Sequence, residues 1–576
     1  MEVMIINYFM RTRSHWWFDA GLSGLFFIAL EVKDNDEQYR NITVNCRIDG
    51  LEFIYEDEEQ LKLFLKDCYE KLVARYWNVS TKKQKENLEL VRWNKDLNKP
   101  EAIAKRNPTP IPAKFIGAKS WRAEGIDYEE MTSEKKILID DYLNKNNKQL
   151  WGKKKKLVFE PPVCHYNIKI WPQRGNKTTC SLCGSEDICE DISLSSSSFP
   201  LYASKSATLS FHSEGRNPTD KICWGCQLLG AFAVESAHYK KTGDNLFVLQ
   251  LASNNLNDLI NTQQKITGGQ GSVRELDENY FSNIGTNKQK NRILFYARLP
   301  YELLWAFFHD TYFLIKEAAA SKNLAFDDEY DEIKSLVMSP MYIVLIHLLD
   351  KGQTFLTKNV IYYNDFAYVY RLLSEFKNAF PSDHDFLYKI FNDLYIKMKT
   401  DNASCLWRNR ILEKVLNKKH ITQDLEVFCY FKYIKADNYY GRNMLDFAIE
   451  YQLLMEGEDS MLKKHIEVAV NLGRQIGGVI KKEDDNKNDK RVKGDLYALR
   501  KTRTKSDFLE QLSRIQFRYN LNISNEIVNG MLDEERVSFA DFKSYCLISA
   551  LNTYSGIQSK KTDATDNVPE EVKEHE

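Results

Sequence analysis

The chain carries two C-x-x-C pairs, Cys180-Ser-Leu-Cys183 and Cys223-Trp-Gly-Cys226. Each pair places two thiolates on one tight knuckle, and two knuckles brought together supply the four tetrahedral sulfur ligands that Zn²⁺ prefers. The pattern predicts a structural zinc site. Cys164, His165, Cys189 and His212 lie nearby, but only the two pairs have knuckle spacing on turn-like sequence. The 39 residues from Gly184 to Ile222 exceed the span of a small zinc ribbon, so they are expected to form an insertion that leaves and returns. A redox dithiol or unligated thiols are the other readings of such pairs. A catalytic zinc fits poorly, because four thiolates close the coordination sphere and leave no position for water.

Other catalytic patterns are incomplete. His309-Asp310 falls on a predicted helix, as a metal-dependent phosphohydrolase requires, and His384-Asp385 repeats the dipeptide. Neither has companion His and Asp residues at helical spacing to complete a ligand set. Gly268-Gly269-Gln270-Gly271-Ser272 is glycine-rich but lacks the lysine and the strand-to-helix setting of a phosphate loop. G-x-S-x-G, H-E-x-x-H and Gly-Gly-Asp-Asp motifs are missing. The expectation is a binding protein and not an enzyme.

Charge is segregated. Lys plus Arg total 80 against 81 Asp plus Glu, yet Arg75–Arg122 holds twelve basic residues against four acids, interleaved with Trp77, Trp93, Phe115 and Trp121. Cations replace counterions at phosphates, and planar rings stack on unpaired bases. Lys99, Lys105, Arg106, Lys114, Lys119 and Arg122 on the Pro-rich part of this stretch are the candidate phosphate contacts; for Lys82–Lys95 a solvated helix face with tryptophans in the core is an equal alternative. Lys153–Lys156 reads more simply as a solubilising run. Lys490–Arg518 carries nine basic residues against three acids. There Lys493, Arg500, Lys501, Arg503 and Lys505 form a second candidate groove, with Tyr497, Leu499 and Phe508 on the core side.

The elements that must position these residues change character along the chain. Asn41–Glu56 alternates about Asp49-Gly50 as a β-hairpin does. Asp57–Trp77 has helical period, with Leu61, Phe64, Cys68, Leu72 and Tyr76 on one face. Strand-like pieces recur at Lys156–Glu160, His165–Trp171, Leu246–Leu251 and Arg292–Ala297. After Leu299 the pattern is almost purely helical, including a helix expected over Asp328–Leu349. The predicted class is α+β: an N-terminal α/β domain with its basic arm (1–175), a zinc-binding insertion (176–230), a return of the α/β domain (231–300), a helical middle region (301–440), a C-terminal helical bundle (441–558) and a disordered tail (559–576).

At 576 residues and 43% hydrophobic composition the chain is long enough for several cores. Its longest apolar runs, Gly21–Leu30 and Met341–Leu349, fall short of the ~20 residues that span a bilayer. Arg11, Arg13 and His15 followed by an aromatic stretch do not form a signal peptide. The seven cysteines outside the pairs are scattered. A cytoplasmic protein with reduced thiols and no membrane partner is expected.

Three blocks in order carry a family resemblance: Trp16-Trp17-Phe18-Asp19-Ala20-Gly21-Leu22-Ser23-Gly24-Leu25; the widely spaced cysteine doublet with Phe199-Pro200-Leu201 in its insertion; and Gly473-Arg474-x-Ile476-Gly477 followed by Tyr497-Ala498-Leu499-Arg500-Lys501 and Phe508-Leu509. Together they resemble the large subunit of type I CRISPR surveillance (Cascade) complexes, in the type I-B, CXXC-CXXC subfamily. The resemblance implies a non-catalytic subunit that binds the 5′ end of the guide CRISPR RNA, recognises the protospacer-adjacent motif on duplex DNA, helps open the R-loop and supports the displaced single strand in antiviral defence. Its implied partners are the backbone, guide-processing and small subunits of the complex, and a helicase-nuclease, or transposition proteins, recruited after target binding. It further implies that the C-terminal helices can be made separately as a small subunit, for which Met444, Met455 and Met461 offer internal starts. Two other readings remain from the residues alone: a zinc-containing, metal-dependent nuclease built on His309-Asp310, and a zinc-ribbon nucleic-acid-binding scaffold unrelated to CRISPR.

Overall fold

The computed structural model describes residues 6–76, 88–89, 91–94, 97–102, 126–147, 149–150, 156–157, 170, 179–185, 192, 199, 221–266, 286–289, 292–321, 341–350, 355–380, 386–435, 442–457, 460–487, 492–532 and 537–556. Helices and small, mostly antiparallel sheets make an α+β fold. The chain divides into two compact units, one of Met1–Ile284 with Thr311–Ala367, the other of Gly285–Asp310 with Tyr368–Glu576.

In the first unit the expected hairpin forms. Strand β2 (Thr43–Arg47) turns through Ile48 and Asp49 into β3 (Gly50–Tyr55), with Arg47 opposite Gly50. Strand β1 (Ile6–Arg11) joins the free side of β3 and sets Tyr8 opposite Phe53. Gly50 is needed because a Cβ there would lie 2.4 Å from the Met10 carbonyl oxygen. Helix α1 (Trp16–Asn35) crosses next, followed after the hairpin by α2 (Glu58–Tyr76), which buries Leu61, Phe64, Cys68 and Leu72 of its predicted face.

Every residue of α1 from Trp16 to Leu25 is buried, so this first half of the helix turns no face to solvent. A helical segment buried on every face must be enclosed by other elements. Helix α2, helix α3 (Trp224–Phe232), the turn Ala233–Ser236 and helix α4 (Leu256–Ile266) pack around it. Fully burying side chains such as Trp17 and Phe18 contributes on the order of 1.5–3 kcal/mol each.

A second sheet completes the unit. Strands β4 (Ala237–Thr242), β5 (Asn245–Ser253), β6 (Met341–Asp350) and β7 (Phe355–Tyr363) lie in that order, all antiparallel. This corrects the expectation of a helix over Asp328–Leu349 and of a purely helical region from residue 301. Met-Tyr-Ile-Val-Leu-Ile-His-Leu-Leu is a continuous apolar run, and such a run has no period that distinguishes a buried strand from a buried helix. Its β-branched Ile343, Val344 and Ile346 pack as the inner strand between β5 and β7, where Ile343, Val344, Leu345, Ile346 and Leu348 are buried. Sheet residues of the first unit therefore extend well past residue 300.

Among its described residues the second unit has one strand pair, Thr286–Gln289 with Arg292–Tyr296, and is otherwise helical: Pro300–Ser321 (α5, whose first residues belong here), Phe366–Ala379 (from Tyr368 on), Leu406–Leu416 (α6), Thr422–Lys435 (α7), Arg442–Glu456, Ser460–Lys487 (α8), Val492–Lys501 (α9), Lys505–Tyr519 (α10) and Phe539–Gly556 (α11), with shorter helices between them. Its most intimate contact joins α8 and α11. A Cβ on Gly473 would lie 2.1 Å from the Cys546 carbonyl oxygen, and one on Gly477 would lie 2.4 Å from that of Ala550. The Ser549 hydroxyl donates to the Val470 carbonyl at 2.7 Å between them. Gly473→Ala is expected to destabilise by at least the ~1–3 kcal/mol typical of overpacking, because the atom it meets is backbone and cannot swing aside. Gly494→Ala, where an added Cβ meets nothing within 4 Å, is the control and should be neutral or slightly stabilising. Equal urea midpoints for the two variants would refute the close crossing.

A buried ion pair lies at the start of α5. Arg408 Nε donates to Glu302 Oε1 at 2.8 Å and Nη2 to Oε2 at 3.2 Å, while Nη1 donates to the Phe391 carbonyl at 3.1 Å. Glu302 also accepts the backbone N–H groups of Arg298 (2.7 Å) and Leu299 (3.3 Å), so one carboxylate caps the helix and neutralises the arginine.

Candidate metal centre and nucleic-acid surfaces

The two C-x-x-C pairs meet. A tight turn builds the first knuckle: Cys180 N–H donates to Ser185 O (2.8 Å), Gly184 N–H returns to Cys180 O (2.9 Å), and Gly184 holds φ at +69°, where an L side chain would be strained. Ser181 N–H donates to Lys221 O at 2.9 Å and so brings the distant second knuckle alongside. Cys223 is the N-cap of α3, and its Sγ accepts the Cys226 N–H at 3.4 Å. Cys223 N–H in turn donates to Cys180 Sγ at 3.3 Å.

The sulfurs face one another. Sγ of Cys180 and Cys226 are 3.9 Å apart, those of Cys183 and Cys223 3.7 Å, and all four fall within 4.8 Å of one another. A tetrahedral ion with Zn–S bonds of about 2.3 Å requires S···S edges of about 3.8 Å. Among the described residues this is the group of ligand-type side chains close enough to hold a metal ion. Donor type, number and spacing are compatible with zinc, and four thiolates would close its shell.

Crowding sets the proton affinities. Hydrogen bonds from Cys183, and then from Cys223 and Cys226, draw the Cys180 thiol far down. Cys226 is pushed up, first by its hydrogen bond to Cys180 and then by those to Cys183 and Cys223. Four sulfurs this close compete for negative charge, and a divalent cation among them removes the conflict.

The Trp16–Leu25 block turns out to be the seat of this centre. A Cβ on Gly21 would lie 2.0 Å from the Leu229 carbonyl oxygen, and one on Gly24 would lie 2.2 Å from that of Phe232. The two glycines, one turn apart, let α1 touch the backbone of α3, the helix that Cys223 caps. Trp17 Nε1 donates to the Gly230 carbonyl at 3.1 Å and the Ser236 hydroxyl to that of Ala20 at 2.9 Å. Phe199, from the segment between the knuckles, packs on His15, Trp16 and Phe18. Burial lowers the His15 pKa to about 4, which keeps its imidazole neutral and able to accept the Trp17 N–H at the start of α1.

One participant was not anticipated as such. Arg13 Nε donates to Cys226 Sγ at 3.2 Å. In the sequence it is one of several N-terminal cations, and nothing in its neighbours marks it, because the contact depends on β1 lying beside a knuckle more than two hundred residues away.

The candidate phosphate contacts are distributed differently. Lys99 is exposed at the start of a short strand, Lys99–Ala102, paired with Val91–Asn94. Trp93 on that partner strand is buried against Met131, Ile139 and Leu143, so it belongs to a core and is not free to stack on a base. Lys105, Arg106, Lys114, Lys119 and Arg122 lie outside the described residues, as do Trp77, Phe115, Trp121, His384, Asp385, Gly268–Ser272, Cys164, His165, Cys189 and His212; of Lys493 only the helical backbone is described. Arg500 is engaged: Nε donates to Glu426 at 2.6 Å, and the guanidinium lies 4.3 Å over the Tyr430 ring. Lys501 sits 4.3 Å over Tyr497, which stacks on Tyr430 at 6.1 Å. Arg503 is exposed and Lys505 half-buried. Farther along, Arg518 is held by Asp495 through two 2.6 Å contacts. Part of this basic run is thus tied to acids of its own unit. His309 and Asp310 touch at 3.3 Å on α5, and among the described residues no metal-ligating cluster includes them.

Neither a scan against protein-family models nor a search of curated proteins returns a match to the chain.

Proposed function

We propose that the chain is the non-catalytic large subunit of a type I-B-like, CRISPR RNA-guided surveillance complex, with a structural Zn²⁺ on Cys180, Cys183, Cys223 and Cys226. The observation that carries this reading is the convergence of two sequence blocks: the Trp16–Leu25 block and the cysteine doublet, separate in the chain, build one centre through Gly21, Gly24 and α3. The third block has a parallel role, its Gly473 and Gly477 seating α8 on α11. A subunit of this kind delegates most sequence reading to guide pairing and itself reads a short motif on duplex DNA. Cations at Lys99, Lys105, Arg106, Lys114, Lys119 and Arg122 suit phosphate positioning, and the exposed Lys501 over the exposed Tyr497 ring suits a single strand.

The deciding experiment expresses the tagged chain with the products of its neighbouring genes and sequences any co-purifying RNA. Guide RNA co-purifying with the chain and its partner subunits is expected; a chain that purifies without RNA or partners overturns the reading. A finer test replaces Lys105, Arg106, Lys114 and Lys119 together by Ala. Duplex affinity should fall and its salt dependence flatten by up to about four phosphate contacts, with folding unchanged. Equal affinity at two salt concentrations would assign these residues to ordinary solvated surface.

A further inference from the structure

Four thiolates around a divalent cation carry a net charge of about −2, and three of the four cysteines here are buried. Such a site needs compensation from its surroundings. A described neighbour that supplies a positive charge is Arg13, at the junction of β1 and α1. Its Nε–H points at Cys226 Sγ at 3.2 Å, and its Nη1 donates to the Arg11 carbonyl at 2.6 Å, which fixes the plane of the guanidinium. Nη2 lies beside Gly225, where a Cβ would come within 3.4 Å. The backbone of the same residue is held as firmly: Arg13 N–H donates to Asp19 Oδ1 at 2.5 Å, and Asp19 Oδ2 takes the His15 N–H at 2.9 Å. Three residues before Arg11, the strand makes another contact with the knuckle through its flank, where Tyr8 stacks on Trp224 at 6.0 Å.

We propose that Arg13 is a positioning residue of the metal centre. Its guanidinium offsets the negative charge of the four sulfurs and locks the β1–α1 junction to the second knuckle, so that metal retention and the order of the N-terminal strand depend on each other. Arginine suits the role better than lysine because one rigid plane offers separate donors to a sulfur and to a carbonyl. Partners that orient metal ligands through hydrogen bonds typically matter 10–100-fold in metal affinity.

This inference rests on the metal centre and not on the guide-complex reading. The test measures zinc release from the full chain to a chromophoric chelator for the wild type, Arg13→Met and Arg13→Lys, with circular dichroism as the check on folding. Release should quicken 10–100-fold in Arg13→Met, with partial recovery in Arg13→Lys, which keeps the charge and loses the bridging geometry. In cobalt-loaded protein the sulfur-to-metal charge-transfer band should shift in Arg13→Met, a change that a purely architectural role for the side chain would not produce. Release within twofold of wild type for both folded variants, with an unmoved band, overturns the proposal. Should Arg13→Met fail to fold, Arg13→Lys decides alone: a rate equal to wild type overturns the proposal, and a several-fold faster rate supports it. A wild-type chain that takes up no zinc or cobalt overturns the metal centre itself, and this role with it.

Discussion

Elemental analysis of freshly purified chain is expected to find one zinc per molecule, and Cys223→Ser to bring that ratio well below one while costing much of the soluble yield. The effect should be large because apparent binding free energies at structural four-ligand zinc sites are about 10–16 kcal/mol, and that energy is folding energy. Cys223 has three roles at once: it is a sulfur donor, the N-cap of α3, and the residue whose N–H donates to Cys180. Serine preserves the cap but not the soft ligand. Losing the ion frees the first knuckle from the second and uncovers the face of α1 that holds Gly21 and Gly24. Hydrogen exchange in the variant should therefore rise over residues 16–25 and 221–232 first. Wild-type protein with well under one zinc, or a variant that keeps its zinc, would sink the expectation.

Arg408→Met should lower stability by about 3–5 kcal/mol, since it leaves Glu302 charged, fully buried and without its guanidinium. Met approximates the volume and retains contact with Phe391, so the loss reports charge more than packing. The paired replacement Glu302→Gln with Arg408→Met should recover part of the deficit, because an amide still accepts from Arg298 and Leu299 and no longer needs a cation. Urea midpoints at constant m-value give the comparison. A single-variant loss below about 1 kcal/mol would mean that water reaches the site and that the pair is effectively a surface one.

The four cysteines were legible because a knuckle is a local pattern, and two knuckles need only meet once. The helix Lys505–Tyr519 of the second unit was legible for a similar reason: its one apolar stripe, Phe508, Leu512 and Ile515, lies within a few residues. The β6 run was misread because its environment is apolar on both faces, which erases the alternation that would have announced a strand. Arg13 was passed over for a different reason. Its partner is chosen by tertiary placement, and a cation near the N-terminus has many possible partners in sequence. The basic run at the C-terminal helices shows the converse limit: Glu426 and Asp495 claim Arg500 and Arg518, and only the folded arrangement identifies which cations are already spoken for.

The hairpin of β6 and β7 also bears on how the chain is made. β5 pairs with β6 across a separation of almost one hundred residues, so a ribosome must deliver the chain past Tyr363 before the first unit can close. Until then β5 has a neighbour on one side only, and its Leu246, Phe247, Val248, Leu249 and Leu251 present an apolar edge ready to pair with another nascent chain. A fragment cut at residue 300, where the sequence pattern turns helical, would keep that edge open permanently and should aggregate, whereas one that runs through Ala367 carries its own strand to cover it.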